Sequence, residues 1–173
     1  LESFEEFSPR MRRIASFFFE KKWIDYSLRS GKRGGAFSHS CVPSVHPYIL
    51  VNFTGKTRDV MTLAHELGHG IHQYLSRRNG YFQQNTPLTT AETASVFAEM
   101  LVFNKLLSKE KRNREKLYII CSKLEDIFAT VFRQIVMTNF ELEIHQKRKD
   151  SGELSSIEFD SAWTKANKKM FGN

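Results

Sequence analysis

Apolar residues recur at three- and four-residue intervals along most of the chain, which is the spacing of one face of an α-helix. The first such stretch begins at Ser8-Pro9, a helix N-cap followed by proline at the first helical position, and ends near Trp23. A second helix begins at Thr57 and ends at Asn79-Gly80, which supplies a left-handed stop. The predicted core-facing residues are Met11, Ile14, Ala15, Phe18 and Phe19 in the first helix, and Val60, Met61, Ala64, Leu67, Gly68, Ile71 and Leu75 in the second.

Three further helices are predicted in the second half of the chain. One begins at Thr89 or Thr90 and runs to about Leu107, and a long one follows from about 108 to 150. Ser155-x-x-Glu158 is a capping box and predicts a last helix after it. The residues of that helix predicted to face inward are Phe159, Ala162, Trp163 and Ala166.

One segment has the composition of a β-strand. Residues 48–53 are short, β-branched and aromatic, and with residues 35–40 they could form one small sheet. The pattern therefore predicts a mainly α fold with one small antiparallel β-sheet, organised as a single domain over residues 1–173.

The second helix carries a candidate metal site, His65-Glu66-Leu67-Gly68-His69. Residues four apart on a helix lie one turn above each other, so His65 and His69 can present two imidazoles to one zinc ion. Glu66 lies beside that metal, where it could take a proton from zinc-bound water, whose pKa the metal lowers toward about 7. The pattern indicates a zinc site with Glu66 as its general base.

The alternative is a helix that holds two histidines and a glutamate by chance. Gly68 and Gly70 argue against it, because each glycine costs roughly 0.8–1 kcal/mol relative to alanine inside a helix. We therefore expect another part of the chain to approach this backbone closely.

A catalytic zinc site needs a third protein ligand and an open position. Glu92 is the first acidic residue after Glu66, which makes it the candidate. Thr89-x-x-Glu92 is also a capping box, in which the glutamate would only bond a backbone N–H. From the residues alone the two interpretations are equal, and the need for a third ligand favours the metal.

Two more residues near the motif have open interpretations. Glu99 follows Glu92 by two helical turns and is either an acceptor for a ligand histidine or a solvated surface residue. His72 could bind substrate, although a lone histidine on a helix is more often structural.

The composition leaves a second function class to consider. The formal charge of +7 would suit nucleic acid or another acidic partner, and a basic interaction module with structural histidines is the alternative function. The basic stretches are mixed with acidic residues and lack interleaved aromatics, so we expect a solvated face and no nucleic-acid or membrane partner. No apolar run reaches the eighteen or so residues of a membrane span.

Two cysteines, Cys41 and Cys121, make no disulfide framework, so a reducing compartment fits best. The chain starts without methionine or a secretory signal, as if cut from a longer protein.

Taken together, four segments resemble the oligoendopeptidase F family, which belongs to the thimet oligopeptidase and neurolysin group. They are Lys32-Arg33-Gly34-Gly35-Ala36-Phe37, His46-Pro47-Tyr48-Ile49-Leu50-Val51-Asn52, Asp59 through His69, and Ala91-Glu92-Thr93-Ala94-Ser95. The resemblance implies a zincin-like (gluzincin) metallopeptidase core that hydrolyses short peptides in the cytoplasm.

The resemblance also implies roles for particular residues. One zinc ion per chain would be held by His65, His69 and Glu92, with Glu66 as general base. The strand Tyr48, Ile49, Leu50, Val51 and Asn52 would line the cleft as an edge to which a short peptide adds.

Members of the family are several times longer, with a segment after the last helix that supplies tyrosine and histidine near the scissile carbonyl. This chain ends before that segment, so we expect it to bind zinc and to hydrolyse peptides poorly. A secreted thermolysin-like peptidase, which shares two histidines and a downstream glutamate, is a further alternative.

Overall fold

The computed structural model describes residues 1–172, which are mostly helical. The helices are α1 (Glu2–Phe7), α2 (Pro9–Glu20), α3 (Thr57–Ser76), α4 (Leu88–Lys109), α5 (Asn113–Ser151) and α6 (Ser156–Phe171), with a 3₁₀ turn at Arg77–Asn79. The strands are β1 (Ile24–Asp25), β2 (Phe37–His39) and β3 (Tyr48–Leu50). None of the helices within residues 1–172 combines the length and the apolar character needed to cross a bilayer.

The start and end signals read from the sequence act as expected in α2 and α3. Ser8 caps α2, since its Oγ accepts a hydrogen bond from the Met11 amide at 3.4 Å. Gly80 ends the 3₁₀ turn that follows α3, with a positive φ of 83°, a conformation that glycine adopts without a steric penalty. The helix α1 was not predicted.

The sheet has the strand order β1-β3-β2. Strand β2 pairs antiparallel with β3, as predicted, with Ser38 opposite Ile49. Strand β1 pairs parallel with β3 on the other side, with Ile24 opposite Ile49. The sheet is therefore mixed: the predicted antiparallel pair is present, and β1 adds a parallel strand that was not predicted because a two-residue strand has no readable alternation. The prediction of a mainly helical fold with one small sheet is confirmed.

The described residues form two compact units, Leu1–Glu110 and the chain from Lys111 onward, where the sequence predicted a single domain over 1–173. The core of the first unit is built from α1, α2, the sheet, α3 and α4. Phe18 is fully buried there, whereas Phe19, which was predicted to face inward, is 44% exposed. The buried apolar residues of this core are Phe4, Ile14, Ala15, Phe18, Trp23, Ile49, Val51, Leu67, Ile71 and Ala98.

Two glycines of α3 make the close contacts predicted for them. A Cβ built at Gly68 would lie 2.6 Å from the Cα of Ser95 and 2.7 Å from the carbonyl oxygen of Ala94, both in the backbone of α4. A Cβ at Gly70 would lie 2.7 Å from the Phe18 ring of α2. The bare backbone of α3 is therefore what lets α4 cross it, which sets where the first turns of α4 lie.

The second unit consists of α5 packed against α6. The Ser155-Glu158 capping box is present, with the Ser155 amide donating to Glu158 Oε2 at 2.8 Å. Ala162 is buried as predicted, whereas Trp163 is 42% exposed and packs edge-on against Phe140. The long helix was predicted from residue 108, but residues 110–112 are not helical and α5 begins at Asn113.

Candidate metal centre

Three side chains from two helices converge where α3 and α4 cross. His65 and His69 lie one turn apart on α3, and Glu92 lies in the early part of α4. Glu92 Oε2 is 3.3 Å from His65 Nε2 and 3.6 Å from His69 Nε2. One donor atom from each of the three residues lies within 4.8 Å of the other two. The close approach at Gly68 brings these residues together, because it sets the separation of the two helices.

This set of donors fits zinc. Two imidazoles and one carboxylate make a recognised catalytic zinc set, which leaves a fourth position for water or substrate. Zinc bonds of about 2.0–2.1 Å in tetrahedral geometry separate neighbouring ligand atoms by about 3.3 Å. The two histidine-to-Glu92 distances, 3.3 and 3.6 Å, are close to that separation.

The capping-box alternative for Glu92 has no counterpart in the structure. Helix α4 begins at Leu88 with Pro87 as its N-cap, and no side chain within residues 1–172 caps its first turn. Thr89 therefore lies inside the helix. The Glu92 carboxylate instead accepts a hydrogen bond from the hydroxyl of buried Ser95 at 2.9 Å, which orients it from within α4.

Glu99 contacts the far side of the His65 ring. Its Oε2 lies 3.3 Å from His65 Nδ1, and its side chain is only 15% exposed. Glu99 was interpreted either as an acceptor for a ligand histidine or as a solvated surface residue, and the structure shows the contact with the histidine. A carboxylate on Nδ1 fixes the ring and leaves Nε2 for a metal. The same contact raises the pKa of His65, whereas burial lowers the pKa of His69.

Glu66 is a buried carboxylate next to the three converging residues. Its residue exposure is 7%, and burial raises the pKa of its carboxyl above the ordinary value, with the nearby Glu92 charge adding to the effect and His65 opposing it. A carboxyl with a raised pKa takes up a proton near neutral pH more readily than an exposed one.

These groups line a cleft of about 550 Å³. One wall carries His65, Glu66, His69 and Glu92, and the other carries β2 and its flanks. Ala36, Phe37, Ser38 and Ser40 line the cleft from β2 and its flanks, and the remaining lining residues are Gln73, Gln84, Asn85, Thr86, Leu88 and Ala91.

Strand β3 was predicted to line the cleft, but the strand that lines it is β2. Tyr48–Leu50 is the central strand, paired on both sides, so it offers no free edge. Ile49 and Val51 are buried in the core. Asn52 donates to the carbonyls of Arg33 and Gly35. The prediction that residues 48–52 form the peptide-binding edge is wrong, because a strand pattern in one segment does not reveal which neighbours pair with it.

Gln73, Gln84 and Asn85 are among the cleft residues that the sequence analysis missed. Gln73 follows His69 by four positions, so helical spacing alone could have placed it on the metal-facing side of α3. Gln84 and Asn85 lie in the loop between α3 and α4, where no periodic pattern exists. His72, the candidate substrate-binding residue, is half-buried and does not line this cleft in the part of the chain that the structure describes.

The chain is similar to known peptidases. Residues 5–173 match the family model described as Peptidase family M3. The chain is 35% identical to oligopeptidase PepF of Bacillus subtilis over 155 residues, which are 89% of this chain and 23% of that protein. It is 37% identical to an oligoendopeptidase F homolog of Borreliella burgdorferi over 129 residues, 73% of this chain and 22% of that protein.

A solved structure of PZ peptidase A with an inhibitor superposes with a TM-score of 0.77 at 22% identity, covering 98% of this chain and 29% of that one. At that identity the superposition supports the fold. The chain spans about a quarter of the length of the curated relatives that it matches.

Proposed function

The chain belongs to peptidase family M3, and we propose that the full-length protein is a zinc-dependent endopeptidase that hydrolyses short peptides. The observation that carries the proposal is the convergence of His65, His69 and Glu92 beside the buried carboxylate of Glu66. Neither a basic interaction module nor a structural use of the histidines requires that convergence.

His65, His69 and Glu92 would hold one zinc ion. When bound, zinc supplies a positive charge that polarises a peptide carbonyl and makes water easier to deprotonate. His65 is held for this task by Glu99 at Nδ1, and Glu92 is held by Ser95. The protein's part is to keep these side chains oriented before the substrate arrives.

Glu66 would act as general base and then as general acid. Its carboxylate takes a proton from the attacking water as the water oxygen bonds to the carbonyl carbon of the peptide. When the carbon–nitrogen bond breaks, the same carboxyl gives the proton to the departing amine. The raised pKa of Glu66 supports both steps, because the group must accept a proton and release it near neutral pH.

Strand β2 would bind the peptide main chain. It is an edge strand of the sheet, and Ala36, Phe37, Ser38 and Ser40 face the cleft. An extended peptide adds to such an edge by main-chain hydrogen bonds, which recognise any sequence. This assignment replaces the strand at 48–52, which has both sides paired.

The test is Glu66→Gln in the full-length protein. We expect one zinc ion per chain in both proteins and a loss of peptide hydrolysis of about 10²- to 10⁴-fold in the variant, the usual share of a general base. Glu125→Gln, at an exposed position of α5, is the matched control and should keep full activity. Activity that survives in Glu66→Gln would contradict the role of this residue, and wild-type protein without zinc would contradict the metal centre.

A further inference from the structure

The side chain of Gln73 joins the metal-bearing helix to the edge strand. Ser38 Oγ donates to Gln73 Oε1 at 2.7 Å, and Gln73 Nε2 donates to the carbonyl oxygen of Ser38 at 3.3 Å. Both residues are half-buried and both line the cleft. One residue of α3 therefore holds both the side chain and the main chain of one residue of β2.

Ser38 is the residue of β2 whose main chain faces away from the sheet. In β3 the amide of Ile49 donates to the carbonyl of Trp23, on the β1 side, at 3.0 Å. Main-chain groups alternate sides along a strand, so Ile49 is bonded toward β1 and not toward β2. Ser38 lies opposite Ile49, and its amide and carbonyl therefore point to the free edge.

We propose that Gln73 is a positioning residue that sets the register of a bound peptide against the metal centre. This inference rests on the proposed function and on peptide binding at β2. Gln73 lies one turn beyond His69 on the same face of α3, about 6 Å along the helix axis. A rigid helix thereby fixes the distance from the zinc ligands to the main-chain amide of Ser38, which is the donor that a peptide carbonyl would meet.

The consequence concerns which peptide bond is cut. Successive residues of an extended peptide are about 3.3 Å apart, so even a partial slide of β2 moves the scissile bond away from the metal and a neighbouring bond toward it. Gln73 opposes such a slide because its two bonds are directed at two different atoms of Ser38. Zinc ligation needs neither bond.

The test uses the full-length protein with zinc bound and an unstructured peptide of about eight residues. Gln73→Met removes both hydrogen bonds at nearly constant side-chain length. We expect unchanged zinc content, a KM raised about tenfold, a kcat within about threefold of wild type, and a second cleavage at the adjacent bond, seen by mass spectrometry. Gln83→Met makes the same chemical change on an exposed side chain and should leave KM and the cleavage site as they are.

Two substitutions at the partner residue test the same contact if Gln73→Met does not fold. Ser38→Ala should raise KM about threefold, and Ser38→Thr, which keeps the hydroxyl, should restore it. A wild-type KM with a single cleavage site in Gln73→Met, an equal change in Gln83→Met, or a Ser38→Thr that behaves as Ser38→Ala would each overturn the positioning role. A zinc-loaded wild-type protein that cuts no peptide would overturn the proposed function, and this inference with it.

Discussion

Replacing Gly68 by alanine tests how the metal centre is assembled. The added Cβ would lie 2.6 Å from Ser95 Cα, 2.7 Å from the Ala94 carbonyl oxygen and 2.8 Å from Ala98 Cβ. Carbon atoms in contact are normally about 3.5–4.0 Å apart. The three obstructing atoms belong to the backbone or to a one-carbon side chain, so no rotamer change can relieve the clash. Helix α4 itself has to move outward by about 1 Å.

Two opposing effects decide the sign of the stability change. Alanine is the better helix former by about 0.8–1 kcal/mol, which alone would stabilise α3. Forcing an extra carbon into a packed contact costs about 1–3 kcal/mol. We expect the clash to prevail, with a net loss of about 1–2 kcal/mol in the free energy of unfolding. A displacement of about 1 Å also exceeds the roughly 0.5 Å tolerance of a functional site, so zinc affinity should fall about 10- to 100-fold as Glu92 moves with α4.

The measurements are thermal unfolding in the presence of a chelator, and zinc affinity by chelator competition, on the full-length protein. Two other glycines provide controls. A Cβ at Gly70 meets the Phe18 ring and the end of Ile49, side chains that can shift, so Gly70→Ala should destabilise the fold and weaken zinc binding less than Gly68→Ala does. A Cβ at Gly34 has no neighbour within 4 Å, so Gly34→Ala should stay within about 0.5 kcal/mol of wild type. If Gly68→Ala were more stable than wild type and bound zinc equally well, the helix crossing would not be the reason for this glycine.

Three further outcomes are expected. Glu99→Gln should weaken zinc binding about 10- to 100-fold, and an unchanged affinity would show that the contact with His65 does not orient the ring. Protonated His65 cannot bind zinc, and Glu99 raises the pKa of His65. Zinc affinity should therefore fall by up to about tenfold per pH unit as the pH drops below that raised pKa. Glu99→Gln should move the onset of this fall to lower pH, which titration calorimetry at several pH values would measure. The side chain of Lys32 is only 2% exposed and donates to the carbonyls of Asp25, Ser27 and Val51. Lys32→Met should therefore lower the free energy of unfolding by about 1–3 kcal/mol, and an unchanged midpoint of urea unfolding would contradict this.

Helices such as α3 and α6 could be predicted because their signals are local. The apolar stripe of α3, its Gly80 stop and the capping box of α6 each depend on residues a few positions apart. The two glycines of α3 even indicated that something must lie close to the backbone. Which element lies there could not be read, because the contact of Gly68 with Ser95 joins residues of different helices.

The peptide-binding edge could not be predicted for a similar reason. Tyr48–Leu50 is recognisable as a strand, but its pairing with β1 depends on a two-residue segment after Trp23. Without β1, residues 48–50 would have a free side. The contact between Ser38 and Gln73 is equally non-local, although the four-residue spacing from His69 places Gln73 on the correct face of its helix.

The contacts at Gly68 and Gly70 also restrict rotation of α3 about its own axis. Gly68 and Gly70 differ by about 200° around the helix, so α4 presses on one side and Phe18 on nearly the opposite side. Side-chain tips lie about 5–6 Å from a helix axis, so a turn of only ten degrees about that axis would move a histidine nitrogen by about 1 Å. With both sides blocked within a single turn of His65 and His69, α3 is locked against rotation about its own axis. The orientation of the two imidazoles therefore depends on the packing of the core, and a substitution at Phe18, which does not line the cleft of the metal centre, should change that orientation.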